Sequence, residues 1–130
     1  MRGGDAGALL FVYGTLRAAS GHAMHRRLRA ESDLVCDGTF RGRLYDLGAF
    51  PGAVASARNS DRVCGEIYRL REPEPAFRML DAYEDKAFRR AKVTIRRSDG
   101  TPSRCWIYLD SRSLKRVPLI ASGDFIRRHG

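Results

Sequence analysis

The stretch Leu9-Leu10-Phe11-Val12-Tyr13-Gly14-Thr15-Leu16 decides the reading of the fold. Five consecutive apolar residues, broken abruptly at a glycine, have the pattern of a short strand buried on both faces. The run carries no charge from Ala8 to Tyr13, yet it is far too short to span a membrane and lacks the length and cleavage pattern of a secretory signal. Residues 1–8 read as a flexible leader to a single domain over 9–130. Gly14 permits close backbone approach, and successive N–H groups after such a strand can form a concavity that takes an anion, with the Thr15 hydroxyl as a further donor. Taken alone, Tyr13-Gly14-Thr15 at a strand end is more often just a turn.

Working outward from that strand, His22 to Arg29 reads as a short helix, with Ser20 as its N-cap and Met24/Leu28 as its i, i+4 apolar pair. The period changes to two from Leu34. Gly38 to Leu47 carries Phe40 and Leu44-Tyr45, and Gly48-Ala49-Phe50-Pro51-Gly52 breaks the pattern with turn residues. A short strand over Val54–Ala57 and a longer one over Val63–Leu70 follow, separated by the Asn59-Ser60-Asp61 turn. Pro73 and Pro75 open a helix that runs to about Tyr83 or Glu84. Ala91 to Arg96 alternates cleanly, so Ala91, Val93 and Ile95 should face a core. Ser98-Asp99-Gly100 has hairpin chemistry, Cys105 to Leu109 supplies the partner strand, and the tail is irregular before a short last turn. About six strands and two helices, joined by hairpin-length connections, predict an α+β domain with mostly antiparallel pairing that closes into a small barrel.

Composition narrows the class. Hydrophobic residues make up 43% and charged residues 30% of 130, a globular balance that excludes a disordered chain. Lys+Arg number 24 against 15 Asp+Glu, a formal +9, and 21 of those cations are arginine. The surplus invites an anionic partner, but the arginines are dispersed, which suits long-range attraction of a carboxylate-bearing molecule rather than one nucleic-acid stripe. No nucleic-acid motif accompanies the charge, so nucleic acid is an unfavoured partner; Trp106, Tyr108 and nearby arginines could stack bases but fit a sheet face as well. Cys36, Cys64 and Cys105 cannot all pair and lack CxxC spacing, which predicts buried reduced thiols in a cytoplasm-like compartment. His22 and His25 lack the further ligands a metal site needs, so no metal is expected.

One carboxylate is placed unusually. Phe77, Leu80 and Glu84 fall at i, i+3, i+7, which puts all three on one helix face, so Glu84 should emerge from the inward-packing side. Partial burial, repulsion from Asp81 and Asp85, and the negative end of the helix would all raise its pKa, as a general acid/base near neutrality requires. The competing reading is a surface ion pair with Arg89 or Arg90. Asp124, after Gly123, reads as a cap or turn acid.

Five stretches in order, Val12–Leu16, Gly42–Gly52, Val63–Tyr68, Leu80–Glu84 and Ile120–Phe125, resemble the γ-glutamylcyclotransferase-like family, also called AIG2-like or BtrG-like. The resemblance spans nearly the whole chain and implies a small mixed barrel with flanking helices. It implies an enzyme that cyclises a γ-glutamyl amine or peptide to 5-oxoproline and releases the amine, without a cofactor. Glu84 would be the catalytic acid/base. The backbone at Tyr13, Gly14, Thr15 and Leu16 would hold the substrate carboxylate or the developing oxyanion. Arg90 matches a family arginine and would support the site, while Phe88 stands where many relatives carry tyrosine. A catalytically silent module binding a small anion on the same fold is the alternative.

Overall fold

The computed structural model describes residues 8–84, 86–112 and 117–127. Along them run β1 (Ala8–Val12), α1 (Ala23–Ala30), β2 (Ser32–Phe40), β3 (Gly42–Asp46), β4 (Pro51–Ala55), β5 (Val63–Leu70), α2 (Pro73–Tyr83), β6 (Phe88–Arg97) and β7 (Pro102–Asp110). Strands β1-β5-β2-β6-β7 close into a barrel, and β3-β4 forms a separate hairpin. Pairing within the barrel is antiparallel except at the closure, where β1 meets β7 in parallel through Leu10 and Trp106. The expected mixed, mostly antiparallel barrel with flanking helices is therefore present.

The opening apolar run is explained by two cores. Phe11 and Tyr13 join Ile67, Ile95, Cys105 and Ile107 in one cluster. Leu10 and Val12 join Tyr68, Leu70 and Tyr108 in a second, which α1 covers with Met24 and Leu28 and α2 with Ala76, Phe77 and Leu80. Because alternate side chains enter different clusters, β1 and β5 are buried on both faces and can afford almost no polar residue. Burial of a side chain such as Leu28 or Leu80 contributes about 1.5–3 kcal/mol. The β6–β7 hairpin forms as expected: Gly100 takes φ 89°, and Asp99 Oδ1 accepts from the Thr101 N–H and hydroxyl at 2.9 and 2.6 Å. Ile95 is fully buried, with Ala91 and Val93 packed against the same cluster.

Several expectations are corrected. There are seven strands among the described residues, because the segment read as one from Gly38 to Leu47 divides at Arg41 into β2 and β3. A register shift between Leu34 and Cys36 spoils the period of β2, leaving Leu34 51% exposed. The fourth strand begins at Pro51 rather than Val54: Pro51 and Gly52 pair with Asp46 and Tyr45, so the last two residues of the apparent turn are strand. Proline is tolerated at a first strand position, and a Cβ at Gly52 would lie 2.7 Å from Asp110 Oδ2. The N-cap of α1 is His22, whose side chain accepts from the Met24 N–H at 3.1 Å, and not Ser20. Of the three cysteines only Cys105 is buried; Cys36 and Cys64 are half-buried. Ala8 opens β1, and the rest of the expected leader lies outside the described residues. Among the described residues no helix is long and apolar enough to cross a membrane.

Candidate active site

Where β1 ends, the chain is fastened rather than loose. Tyr13 is buried; its hydroxyl donates to the Tyr108 carbonyl at 2.6 Å and accepts from the Ala53 N–H at 3.2 Å, tying β1 to β7 and β4. Burial pushes the phenol well above its ordinary range, with Glu84 and Asp110 adding to the shift, so it stays a neutral donor. A Cβ at Gly14 would sit 2.7 Å from Pro51 Cγ and Cδ, so only glycine lets β1 leave against β4. The Arg17 N–H then closes a turn onto the Gly14 carbonyl at 3.0 Å. Among the described residues, no hydrogen bond within the protein takes up the N–H groups of Gly14, Thr15 or Leu16. The Leu16 side chain is 5% exposed and packs under the helices.

The carboxylate comes from the other side. Helix α2 stops at Tyr83, and Glu84 is its C-cap, with extended backbone (φ −72°, ψ 145°) and its N–H on the Leu80 carbonyl at 2.9 Å. Glu84 has therefore left the helix and does not share the helical face of Phe77 and Leu80 on which it was expected. What directs it is the turn out of α2. Glu84 is half-buried and lines one cleft with Tyr13, Gly14, Thr15 and Leu16, walled by Phe50, Pro51, Phe88 and Tyr108. Thr15 Oγ1 and Tyr83 Oη, 2.8 Å apart, join the two sides.

The charges around Glu84 differ from those expected. Asp81 is offset: Arg90 Nε and NH2 hold its two oxygens at 3.1 Å each, and the Tyr108 hydroxyl donates to Oδ1 at 2.6 Å. Burial, with the Asp81 bond and Glu84 behind it, pushes the Tyr108 phenol far up, so it remains a donor. Asp85 lies outside the described residues. Arg90 does not line the cleft that the turn lines. Its guanidinium sits 4.0 Å above the Phe77 ring and 5.0 Å from that of Trp106, in an adjoining hollow that Glu84, Phe88 and Tyr108 also border. It reaches the site through Asp81 and Tyr108. Trp106, weighed as a base-stacking residue, is half-buried in the sheet face beneath Arg90 and Lys92. His25 Nδ1 bonds the Leu16 carbonyl at 2.8 Å, so both helix histidines serve the backbone. Among the described residues no group of three or more His, Cys, Asp or Glu could hold a metal.

Other polar groups at the site were not anticipated. Glu66 is 7% exposed on the helix side of β5; it accepts from Arg17 Nε at 3.3 Å, from the Ala18 N–H at 3.0 Å and from the Tyr68 hydroxyl at 2.8 Å. Burial and that bond push the Tyr68 phenol upward. Asp124 accepts from Arg17 NH1 at 2.7 Å as well as from the Ile126 N–H, so it is more than a cap. An acid inside a strand buried on both faces was a readable signal for Glu66. Nothing in the sequence alone tied Asp124 to Arg17, 107 residues away.

Comparison with known proteins gives a consistent picture. The sequence profile of the family described as "Gamma-glutamyl cyclotransferase, AIG2-like" matches residues 10–127. A curated relative from Vibrio cholerae is 38% identical over 124 residues, covering 92% of this chain and 96% of its own. The "Gamma-glutamylcyclotransferase family protein YtfP" of Escherichia coli (strain K12) is 33% identical over 121 residues, again covering 92% and 96%. The solution structure of ytfP from Escherichia coli superposes with a TM-score of 0.64 at 30% identity, over 94% of this chain and 99% of that one. YkqA from Bacillus subtilis superposes with a TM-score of 0.73 at 27% identity, over 92% of this chain but 39% of its own length. An AIG2-like protein from Mus musculus, 22% identical, shares the fold with a TM-score of 0.70 over 87% and 85%.

Proposed function

We propose that this chain, which belongs to the gamma-glutamyl cyclotransferase, AIG2-like family, converts a γ-glutamyl amine or peptide to 5-oxoproline and the free amine. One observation carries the reading: Glu84, at the end of α2, and the Gly14–Leu16 turn, at the end of β1, line a single cleft.

The chemistry needs little more. The Glu84 carboxylate takes a proton from the substrate's α-ammonium group. The freed amine attacks its own γ-carbonyl carbon, forming the C–N bond of a five-membered ring while the carbonyl electron pair moves onto oxygen. The N–H groups of Gly14, Thr15 and Leu16 receive either that oxyanion or the substrate carboxylate. Glu84 then returns its proton to the leaving nitrogen as the oxyanion re-forms the carbonyl and the original amide C–N bond breaks; the ring nitrogen, which entered as an ammonium, loses its second proton to the released amine by way of solvent. Both reacting groups belong to one molecule, so holding them in register supplies much of the acceleration.

The neutral phenols support this assignment. Tyr13 and Tyr108 are both held protonated near Glu84, leaving it as the ionisable group that borders the cleft beside the turn. Phe88, which walls the cleft edge-on to Phe50 with ring centroids 6.0 Å apart, brings no hydroxyl where many relatives would. That departure favours a second reading, a silent small-anion module of the same fold. Release of 5-oxoproline from a panel of γ-glutamyl amines and peptides separates the two: turnover supports the enzyme, and ligand retention without turnover supports the module.

A further inference from the structure

The Gly14–Leu16 turn ends in a buried ionic cluster that the cyclisation chemistry does not use. Arg17 closes the turn with its backbone N–H, and its side chain, 13% exposed, lies between two carboxylates: Glu66 on β5 at 3.3 Å and Asp124 near the C-terminus at 2.7 Å. Glu66 also accepts from the Ala18 N–H, so it grips the chain at two adjacent residues. Tyr68 donates to the same Glu66 oxygen, which orients the carboxylate from beneath. Glu66 pairs with Val12, the last residue of β1, so the barrel wall and the turn share one reference point.

Asp124 is held as firmly. Gly123 adopts φ 72°, and a Cβ there would fall inside the Arg62 carbonyl; its own carbonyl accepts from the Cys64 N–H at 2.7 Å. The Ile120 N–H bonds the Leu44 carbonyl at 2.7 Å, and Ser122 Oγ accepts from the Asp124 N–H. The C-terminal segment therefore docks on β3 and β5 in one position and delivers a carboxylate to Arg17. A guanidinium can bridge two carboxylates through separate N–H groups; an ammonium of similar charge cannot hold both in fixed directions.

We infer that Arg17, Glu66 and Asp124 form a latch that sets the orientation of the Gly14–Leu16 N–H groups toward the cleft, making the C-terminal segment part of the active site. Arg17 and Asp124 are positioning residues: neither lines the cleft, and both act through the turn. The claim concerning turnover rests on the cyclotransferase reading; the coupling between segment and turn does not.

Asp124→Asn and Arg17→Lys, singly and combined, separate these points. With the concentration of folded protein fixed by circular dichroism, Asp124→Asn is expected to lower kcat/KM for a γ-glutamyl peptide about tenfold or more. Its pH profile should keep the wild-type shape, because Glu84 is untouched. Adding Arg17→Lys should cost little further, since both substitutions break one latch. In the nitrogen–proton NMR spectrum, the amides of Gly14, Thr15 and Leu16 should shift in Asp124→Asn while those of Ile95 and Ile107 stay in place. Should Arg17→Lys fail to fold, Asp124→Asn alone decides. Unmoved turn amides, or an unchanged kcat/KM per folded molecule in an active enzyme, would overturn the latch. A wild-type protein that releases no 5-oxoproline would overturn the catalytic reading and the latch's role in turnover, while shifted amides would still establish the coupling.

Discussion

Thr15 Oγ1 lies 2.8 Å from Tyr83 Oη, so the turn that follows β1 is bonded directly to the last residue of α2. Glu84 is the next residue. Glu84 and the turn that lines the same cleft are thus referenced to each other through one hydrogen bond, although 68 residues separate its partners. Replacing Tyr83 by Phe keeps the ring and deletes the bond. We expect a loss of about 1 kcal/mol in urea unfolding and a fall in kcat/KM of several-fold, out of proportion to that small destabilisation. An unchanged kcat/KM would mean that the two sides are held in register by packing alone.

Gly14 is required for a steric reason. An alanine Cβ would stand 2.7 Å from two carbons of the Pro51 ring, so either the turn or β4 must move. Gly14→Ala should cost about 1–3 kcal/mol, as overpacking does, measured as a drop in the urea midpoint with unchanged slope. Activity should fall further than stability, because the displaced N–H groups are those proposed to receive the substrate's carboxylate or oxyanion.

The acid limb of stability should depend on Asp110. Its side chain is fully covered beside Gly52. Burial alone would push its carboxyl up, but Arg112 outweighs it, bonding through its backbone N–H at 2.9 Å, Nε at 3.1 Å and NH2 at 2.8 Å, and holds it below the usual carboxylate range. The unfolded chain then binds the proton more readily than the folded one. The contribution is present in full above about pH 4 and is lost as the pH falls through the lower folded value. Urea unfolding across pH 2–7 should show a shallower acid limb in Asp110→Asn than in the wild type; parallel limbs would count against the pair.

The fold was legible where a local pattern matched the tertiary environment. Leu9–Tyr13 reads as doubly buried because it is, and the Asp99-Gly100 hairpin reads correctly because its turn chemistry is local. The Pro51–Gly52 strand was hidden because those residues ordinarily signal a turn. Here Gly52 is needed for the approach of Asp110, a contact made 58 residues away in the chain. At the site, the helix period pointed to Glu84 for a partly mistaken reason: the residue reaches the cleft by leaving the helix. The neutralisation of Asp81 by Arg90 depends on a cross-element bond that no spacing rule encodes. The same is true of the Arg17–Asp124 contact.

The proposed reaction depends on Glu84 to move the proton. Its most direct test is the initial rate of 5-oxoproline release from a γ-glutamyl peptide by the wild type and by Glu84→Gln, at equal concentrations of folded protein. Removing a general acid/base should lower kcat by about 10²–10⁴-fold, with KM little changed because the turn remains intact. A Glu84→Gln protein that releases 5-oxoproline at the wild-type rate would contradict the account.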